Sequence, residues 1–305
     1  KANNSAQGSR NTKMNDSQSD MGVLAFYLPQ FHPISENDEW WGAGFTEWSN
    51  VASSRPRFAG HHQPQLPADL GFYDLRLEET RQHQSDLARA YGISGFCYYH
   101  YWFSGKVLLG RPFREVLVSG KPDFPFCLCW ANENWTRAWD GLENKVLIEH
   151  EYSEEDAIAH IHWLIEAFKD KRYIRLYGKP LLLIYRLDNI PKVSSMLSLW
   201  RGIVNDEIGE DLYICAVKNG FIDLDDKVIL SQGFDAIVDF QPNRQDFPTP
   251  KNLKTRLYQW LDRLLPDAIY QKIKVSVSAN KIVDYKDLVQ FKKREPWPSH
   301  YRKFP

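Results

Sequence analysis

Six short segments of nearly continuous apolar residues recur along the chain. They begin at Gly22, Gly92, Phe124, Lys179, Asp211 and Asp235, and read GVLAFYLPQF, GISGFCYYHYW, FPFCLCW, KPLLLIYR, DLYICAV and DAIVDFQP. Uninterrupted apolar runs, as opposed to alternating ones, are typical of parallel strands that are covered on both faces. The pattern therefore predicts six parallel strands, and KVSVSA, from Lys274, is a candidate for a seventh.

Amphipathic helical patterns lie between these segments. LEETRQHQSDLARAYG leads to the helix-stop residue Gly92, and VSSMLSLWRGIVNDEIG ends at Gly209. SEEDAIAHIHWLIEAFKD begins at Ser153 with acidic residues in its first turn, where the helix dipole favours them. LKTRLYQWLDRLL has apolar residues at helical spacing. Strands and helices that alternate in this way predict a parallel α/β fold.

Two parallel α/β architectures fit this pattern: an open doubly wound sheet and a (β/α)8 (TIM) barrel. The first strand is followed by LPQFHPISENDEWWG, which lacks the G-x-G-x-x-G turn typical of open nucleotide-binding sheets. Long aromatic and polar segments follow the first three strands, as expected where strands supply one site from their carboxyl ends. We therefore predict a (β/α)8 (TIM) barrel-like fold that is incomplete, with about six strands evident.

A polar N-terminal segment precedes the predicted barrel. Residues 1–20 contain almost no large apolar side chains, which predicts a disordered tail or an expression remnant. Residues 21–305 are predicted to form one barrel domain that is truncated at its C-terminus. We see no internal repeat and no second domain.

Composition narrows the possible partners. The formal net charge of −1 argues against a nucleic acid or an anionic membrane held by bulk charge. No run approaches the ~18 apolar residues of a membrane span. The four cysteines lie in apolar runs without C-x-x-C spacing, which indicates buried thiols in a reducing compartment. These features predict a cytoplasmic protein.

Aromatic and polar residues cluster where the predicted strands end. The chain has 11 tryptophans, and seven of them lie between Trp40 and Trp139. Acids and amides bind sugar hydroxyls, whereas tryptophan rings pack against the C–H faces of a pyranose. The alternative for each ring is ordinary packing, which we expect for the helical residues Trp163, Trp200 and Trp260. The predicted substrate-binding residues are Gln30, His32, Trp41, Tyr99, His100, Trp102, Trp130, Asn132, Trp135, Trp139, Asp140, Arg186 and Asp239.

Two carboxylates are the candidate catalytic residues. Cleavage of a glycosidic bond needs two carboxyl groups, and Glu133 and Glu47 both lie among tryptophans that would tune their pKa values. The alternative for Glu133 is a salt bridge to Arg137, and the alternative for Glu47 is a structural role in the first loop.

Metal and cofactor signals are weak. His61–His62 and His160-x-His162 lack carboxylate partners at ligand spacing. The triplet Asp223–Asp225 precedes a helix, so we interpret its acids as caps. We predict no metal and no cofactor.

Three long motifs resemble the signatures of the WbsX group, which is found in bacterial polysaccharide and O-antigen gene clusters. They are YLPQFHPISENDEWWGAGFTEWSNV, GFCYYHYWFSGKVLL and CWANENWTRAWDG, in this order. That group is related to glycoside hydrolase family 99, the endo-α-mannosidase barrels. The resemblance covers the chain from about Gly22 onward. It implies a (β/α)8 barrel, no required metal, and an oligosaccharide or polysaccharide substrate.

The resemblance does not extend to the catalytic residues of family 99. There, two glutamates lie late in the chain, whereas this sequence ends at PSHYRKFP, about where those segments would begin. We therefore expect a fragment or natural truncation with little turnover on its own, in which a further C-terminal segment or another subunit completes the barrel. Three functions stay open: attack on glycosidic bonds by paired carboxylates, glycosyl transfer in O-antigen biosynthesis, and glycan binding by an inactive domain.

Overall fold

The computed structural model describes residues 22–56, 60–137 and 142–240, with the short stretches 285–286 and 289–290. The N-terminal segment 1–20, the candidate strand KVSVSA and the candidate helix LKTRLYQWLDRLL lie outside these residues.

All six predicted strands form and associate in one parallel sheet that curls into a half-barrel. The strands of the described chain are β1 Leu24–Tyr27, β2 Gly95–Phe103, β3 Lys106–Leu108, β4 Phe126–Trp130, β5 Trp135–Arg137, β6 Leu142–Ile148, β7 Arg175–Leu176, β8 Lys179–Ile184, β9 Tyr213–Lys218 and β10 Ala236–Asp239. The parallel strands lie in the order β1-β2-β4-β8-β9-β10. Their order in space equals their order in sequence, as in a barrel, whereas a doubly wound sheet reverses direction. The barrel-like prediction is confirmed.

Seven α-helices cover or cap the sheet in the described residues. They are α1 Ser35–Trp41, α2 Glu47–Ser53, α3 Glu78–Ala90, α4 Arg111–Ser119, α5 Glu154–Phe168, α6 Val193–Ile208 and α7 Asp226–Ser231, with a 3-10 turn at Leu187–Asn189. The predictions of α3, α5 and α6 are confirmed.

The helix ends follow their sequence signals. The Ser153 side chain accepts a hydrogen bond from the Asp156 amide at 3.0 Å and starts α5. Gly209 ends α6 with a φ of 70°, a conformation that glycine adopts without a steric penalty. The Asp225 carboxylate accepts from the Lys227 amide at 2.8 Å, so this acid of the Asp223–Asp225 triplet is a helix cap, as predicted.

The main core lies between the outer face of the sheet and α5 and α6. Leu164, Trp200 and Leu182 are completely buried there. The Trp200 indole donates a hydrogen bond to the Ala157 carbonyl at 2.9 Å, so its polar atom is also satisfied. Burying side chains of this size contributes about 1.5–3 kcal/mol each. This layer therefore fixes the strands whose carboxyl ends carry the candidate site.

The segment between β1 and β2 contains two helices that the sequence pattern did not reveal. The helices α1 and α2 have seven residues each, too few to show a helical period. Trp40 and Trp41 therefore lie on a helix, at the end of α1. The short antiparallel pairs β2–β3 and β5–β6 were also not predicted.

The four cysteines are buried and form no disulfide bond, as predicted. No helix in the described part of the chain is long and apolar enough to cross a membrane.

Candidate functional site

A cavity of about 360 Å³, here called the first cavity, lies at the carboxyl ends of β1, β2, β4 and β8. Helices α1 and α2 and the β5–β6 pair form its outer walls. The lining residues are Leu28, Gln30, Asn37, Trp41, Phe45, Glu47, Tyr99, Tyr101, Leu109, Ala131, Glu133, Asn134, Trp135, Thr136, Leu147 and Tyr185. The carboxyl ends of barrel strands are the usual place for a barrel active site.

The structure brings both candidate carboxylates into this cavity. Glu47 is the first residue of α2, where Thr46 caps the helix. Burial raises the pKa of Glu47. Glu133 lies beyond β4, and its carboxylate accepts a hydrogen bond from the Arg186 guanidinium at 2.9 Å. The ion pair of Glu133 that the structure shows is thus with Arg186, whereas the alternative that we had considered was Arg137.

Tyr101 lies in the electrostatic field of both carboxylates. Burial is the largest cause that raises the pKa of its phenol, and the negative charges of Glu47 and Glu133 add to this effect. The Gln30 side chain donates a hydrogen bond to the Tyr101 hydroxyl at 2.8 Å. The tyrosine therefore stays protonated and can donate a hydrogen bond into the cavity.

Arg186 connects the cavity wall to the strand ends. Its guanidinium forms two hydrogen bonds to Asp188, at 2.8 and 2.7 Å, besides the bond to Glu133. The Arg186 backbone is held by Asn132, which accepts from its N–H at 2.8 Å and donates to its carbonyl at 2.7 Å. Asn132 is completely buried, so it positions Arg186 and does not line the first cavity.

Aromatic rings form two sides of the first cavity. Trp41 packs against Phe45 with ring centroids 5.9 Å apart. Trp135 contacts Tyr101 edge to face, with centroids 5.2 Å apart. Tyr99 also lines the cavity. Flat rings beside carboxylates and amides suit a ligand that has both C–H faces and hydroxyl groups.

Three of the predicted substrate-binding residues lie on the opposite, helix-covered side of the sheet. His100 forms a hydrogen bond to His160 with 3.0 Å between their Nε2 atoms. The Trp102 indole donates to Asp156 at 2.9 Å. Trp130 is buried with its ring centroid 5.7 Å from that of Trp200. The structure therefore does not bring these three residues to the first cavity.

The remaining predicted residues are also placed apart from the first cavity or lie outside the described chain. His32 is buried beside the Asp74–Arg76 ion pair, and burial lowers its pKa to about 4. Asp239 is exposed at the end of β10. Trp139 and Asp140 lie outside the described residues.

Two tyrosines were missed among the predicted site residues. Tyr101 and Tyr185 both line the first cavity, and Glu133 contributes to a raised pKa in both cases, after burial. Alternation along β2 could have indicated Tyr101, because residues two apart in a strand point to the same face.

Within the described ranges, no group of three or more histidines, cysteines, aspartates or glutamates has the arrangement of a metal site. The two histidines of His160-x-His162 diverge, since His162 pairs with Glu207 at 2.6 Å and His160 bonds to His100.

This chain belongs to the family described as Glycosyltransferase WbsX, whose profile matches residues 23–305. The predicted membership of the WbsX group is thereby confirmed, and the chain is a carbohydrate-related protein of that type. Two WxcX proteins of Xanthomonas campestris pv. campestris, from strains B100 and ATCC 33913, are each 45% identical to it over 227 residues. The name given to both is Uncharacterized protein WxcX. The match covers 74% of this chain and only 32% of WxcX.

Solved structures also resemble the chain, although more loosely. The GH99 endo-α-mannosidase from Bacteroides thetaiotaomicron has a TM-score of 0.45 and 13% identity, covering 72% of this chain and 61% of that protein. A glycoside hydrolase-like protein has a TM-score of 0.40 and 16% identity, covering 67% of this chain and 53% of its own. The site described above therefore rests on the residues of this chain alone.

Proposed function

We propose that the first cavity binds an oligosaccharide or polysaccharide and that Glu47 and Glu133 attack a glycosidic bond there. One observation carries the proposal: both carboxylates line the same cavity, together with aromatic rings and an amide, at the carboxyl ends of parallel strands. Two carboxyl groups beside one sugar ring are the chemical requirement of glycoside cleavage. A role in bacterial polysaccharide (O-antigen) metabolism in the cytoplasm is part of the same proposal.

The different surroundings of the two carboxylates suggest different roles. Burial raises the pKa of Glu47, which favours a proton donor to the leaving oxygen. Glu133 has a permanently charged partner in Arg186, so we assign it the role of the base or nucleophile. Tyr101 would donate a hydrogen bond to a substrate oxygen between them, while Trp41 and Trp135 pack against sugar rings.

Single amide substitutions test this proposal. We expect Glu133→Gln and Glu47→Gln to lower polysaccharide cleavage by at least about 100-fold, in line with loss of general acid–base catalysis. The melting temperature of Glu133→Gln should change little, because the Glu133 side chain is 42% exposed and Arg186 keeps its two hydrogen bonds to Asp188. Release of reducing ends from bacterial polysaccharides, with α-mannan among them, would be measured. Glu166→Gln, which breaks an exposed ion pair with Lys169 outside the cavity, is the matched control.

The results separate the proposal from its competitors. If Glu133→Gln binds and cleaves polysaccharide as the wild type does but loses much of its stability, Glu133 has a structural role. Saturable glycan binding without any cleavage by the wild type would instead identify a binding domain.

Glycosyl transfer is the second candidate function, because the matched family is described as a glycosyltransferase. An activated sugar donor carries phosphates, which proteins bind with cationic groups or glycine-rich loops. Among the described residues that line the first cavity there is no lysine or arginine. Titration with nucleotide sugars, with and without Mn²⁺, tests this candidate, and tight binding of a nucleotide sugar in this cavity would favour it over cleavage.

A further inference from the structure

A second cavity, of about 380 Å³, lies outside the strand layer between the N-terminal ends of α5 and α6. Trp130 of β4 and His160 of α5 form its base, while Tyr152 and Ser195 lie on its sides. It shares no lining residue with the first cavity. Asn132 lies between them, since its amide bonds to Tyr152 on one side and to Arg186 on the other.

Two buried polar atoms at the base of the second cavity have no hydrogen-bond partner in the described structure. They are Nδ1 of His160, which is completely buried, and Nε1 of Trp130, which belongs to a residue that is 3% exposed. The other ring nitrogen of His160 is already bonded to His100. Buried polar groups are almost always paired, so two unpaired polar atoms beside one cavity favour a polar ligand there.

The chemistry of these atoms favours a ligand with hydroxyl groups. The Trp130 indole can only donate a hydrogen bond, whereas neutral His160 donates or accepts according to its tautomer. Burial lowers the pKa of His160, which keeps the ring neutral. A hydroxyl group both donates and accepts, so it satisfies either tautomer and the indole as well.

The charges around the second cavity argue against an anionic ligand. Glu154 and Asp156 line it, and Lys192 is the one cation among its described lining residues. The Asp156 carboxylate takes one indole hydrogen bond, from Trp102, and can accept more. Carboxylates bind sugar hydroxyls but repel phosphate and other carboxylates. Met196 and Leu199 supply an apolar wall.

We propose that the second cavity is a binding site for a neutral, polyhydroxylated ligand of monosaccharide size. Its volume falls within the range of about 300–1,000 Å³ that is usual for small-molecule sites. The proposal does not depend on catalysis in the first cavity. It gives the chain a second point of contact with a glycan, on the outer side of the barrel.

A bulky side chain introduced at an exposed position of α6 would fill the second cavity and so tests whether a sugar binds there. Ser195 of α6 is exposed and lines the cavity, whereas Ser194 beside it is exposed and does not. Binding of glucose, mannose, galactose and N-acetylglucosamine would be measured by saturation-transfer NMR and calorimetry. We expect millimolar binding of at least one sugar by the wild type, at least about tenfold weaker binding by Ser195→Trp, and a change within about twofold for Ser194→Trp.

Further measurements distinguish binding in the second cavity from binding in the first cavity, and a sugar ligand from other ligands. Ser195→Trp should weaken monosaccharide binding at least about tenfold in the Glu133→Gln background as well, because the two cavities share no lining residue. Ser195→Phe is a smaller block that should give an intermediate loss if the Trp variant unfolds. The proposal is overturned if no sugar binds at up to about 50 mM, if Ser195→Trp binds as the wild type does, or if inorganic phosphate competes for the site.

Discussion

At the residue scale, the two carboxylates of the first cavity differ in their electrostatic surroundings. Burial raises the pKa of Glu47, which lies at the start of α2. The Glu133 side chain is 42% exposed and ion-paired with Arg186. Both contribute to the field at Tyr101. One cavity thus holds a partly buried acid with a raised pKa and a second, ion-paired acid, which is the combination on which the proposed roles of proton donor and of nucleophile or base rest.

The raised pKa of Glu47 predicts a pH-dependent stability difference. Because the folded state binds this proton more tightly than the unfolded state, the stabilisation by Glu47 is complete below its unfolded pKa and is lost as pH rises through its folded pKa. Glu47→Gln should therefore melt at a higher temperature than the wild type at neutral pH. The difference should disappear below about pH 4. Thermal unfolding of both proteins between about pH 3 and pH 8 measures this effect.

Glu166→Gln serves as the exposed control, for which we expect no such trend. A Glu47→Gln protein that melts below the wild type at neutral pH would show that the hydrogen bond with Asn50 outweighs the desolvation of the Glu47 carboxylate.

Strand alternation explains which candidate residues reach the first cavity. On β2, Tyr99 and Tyr101 line the cavity, while His100 and Trp102 point to the helices. The alternation itself is predictable from the sequence. Which of the two alternating sets of side chains faces the cavity is not predictable. A parallel strand that is covered on both faces is apolar on both, so nothing in GFCYYHYWF distinguishes the inner side chains from the outer ones.

The Glu133–Arg186 pair illustrates a second limit of prediction at this scale. The two residues are 53 positions apart and are joined only because β4 and β8 are neighbours in the sheet. Sequence proximity indicated Arg137, whose side chain lies outside the described part of the structure, whereas the order of strands brings Arg186 to Glu133.

At the scale of single elements, α6 contains one glycine and is ended by another, and the two have opposite structural roles. Gly202 lies inside the helix, and a Cβ built there would meet no atom within 4 Å. Gly209 ends the helix at a φ of 70°, where a Cβ is strained. The same substitution should therefore have opposite effects at these two positions.

We expect Gly202→Ala to stabilise the protein by about 0.5–1 kcal/mol, since alanine loses less backbone entropy in a helix. Gly209→Ala should destabilise it by about 1 kcal/mol, because alanine disfavours the left-handed conformation. Urea unfolding of the two variants measures both values. Equal effects of the same sign would contradict the described end of α6.

Helices with strong terminal signals were predictable, whereas short ones were not. Ser153 and Gly209 mark the ends of α5 and α6 in the sequence as they do in the structure. In contrast, α1 has no side-chain cap at its N-terminus. Its existence depends on the packing of the segment around the cavity, which local sequence does not encode.

At the scale of the whole molecule, the two faces of the curled sheet have different surroundings. Its outer face packs against α5 and α6 and holds completely buried residues such as Trp200. Its inner face and strand ends carry the first cavity, where Trp41 is partly exposed. This division was implicit in the predicted barrel, because strand order alone places the carboxyl ends at one mouth. The sequence pattern could not show which tryptophan belongs to which side.

We therefore expect truncation to alanine to have a large effect on stability at Trp200 and a small effect at Trp41. Trp200→Ala removes a fully buried ring and its hydrogen bond to Ala157, so we expect a loss of about 3–5 kcal/mol in the free energy of unfolding. Trp41→Ala should change that free energy by less than about 1 kcal/mol, because the ring is partly solvated.

If the first cavity binds glycans, Trp41→Ala should also weaken polysaccharide binding by about tenfold. Denaturant unfolding and calorimetric titration measure the two effects. A Trp41→Ala protein that loses stability as Trp200→Ala does would assign its ring to the core, and the first cavity would then lose one of its two tryptophan surfaces for a sugar.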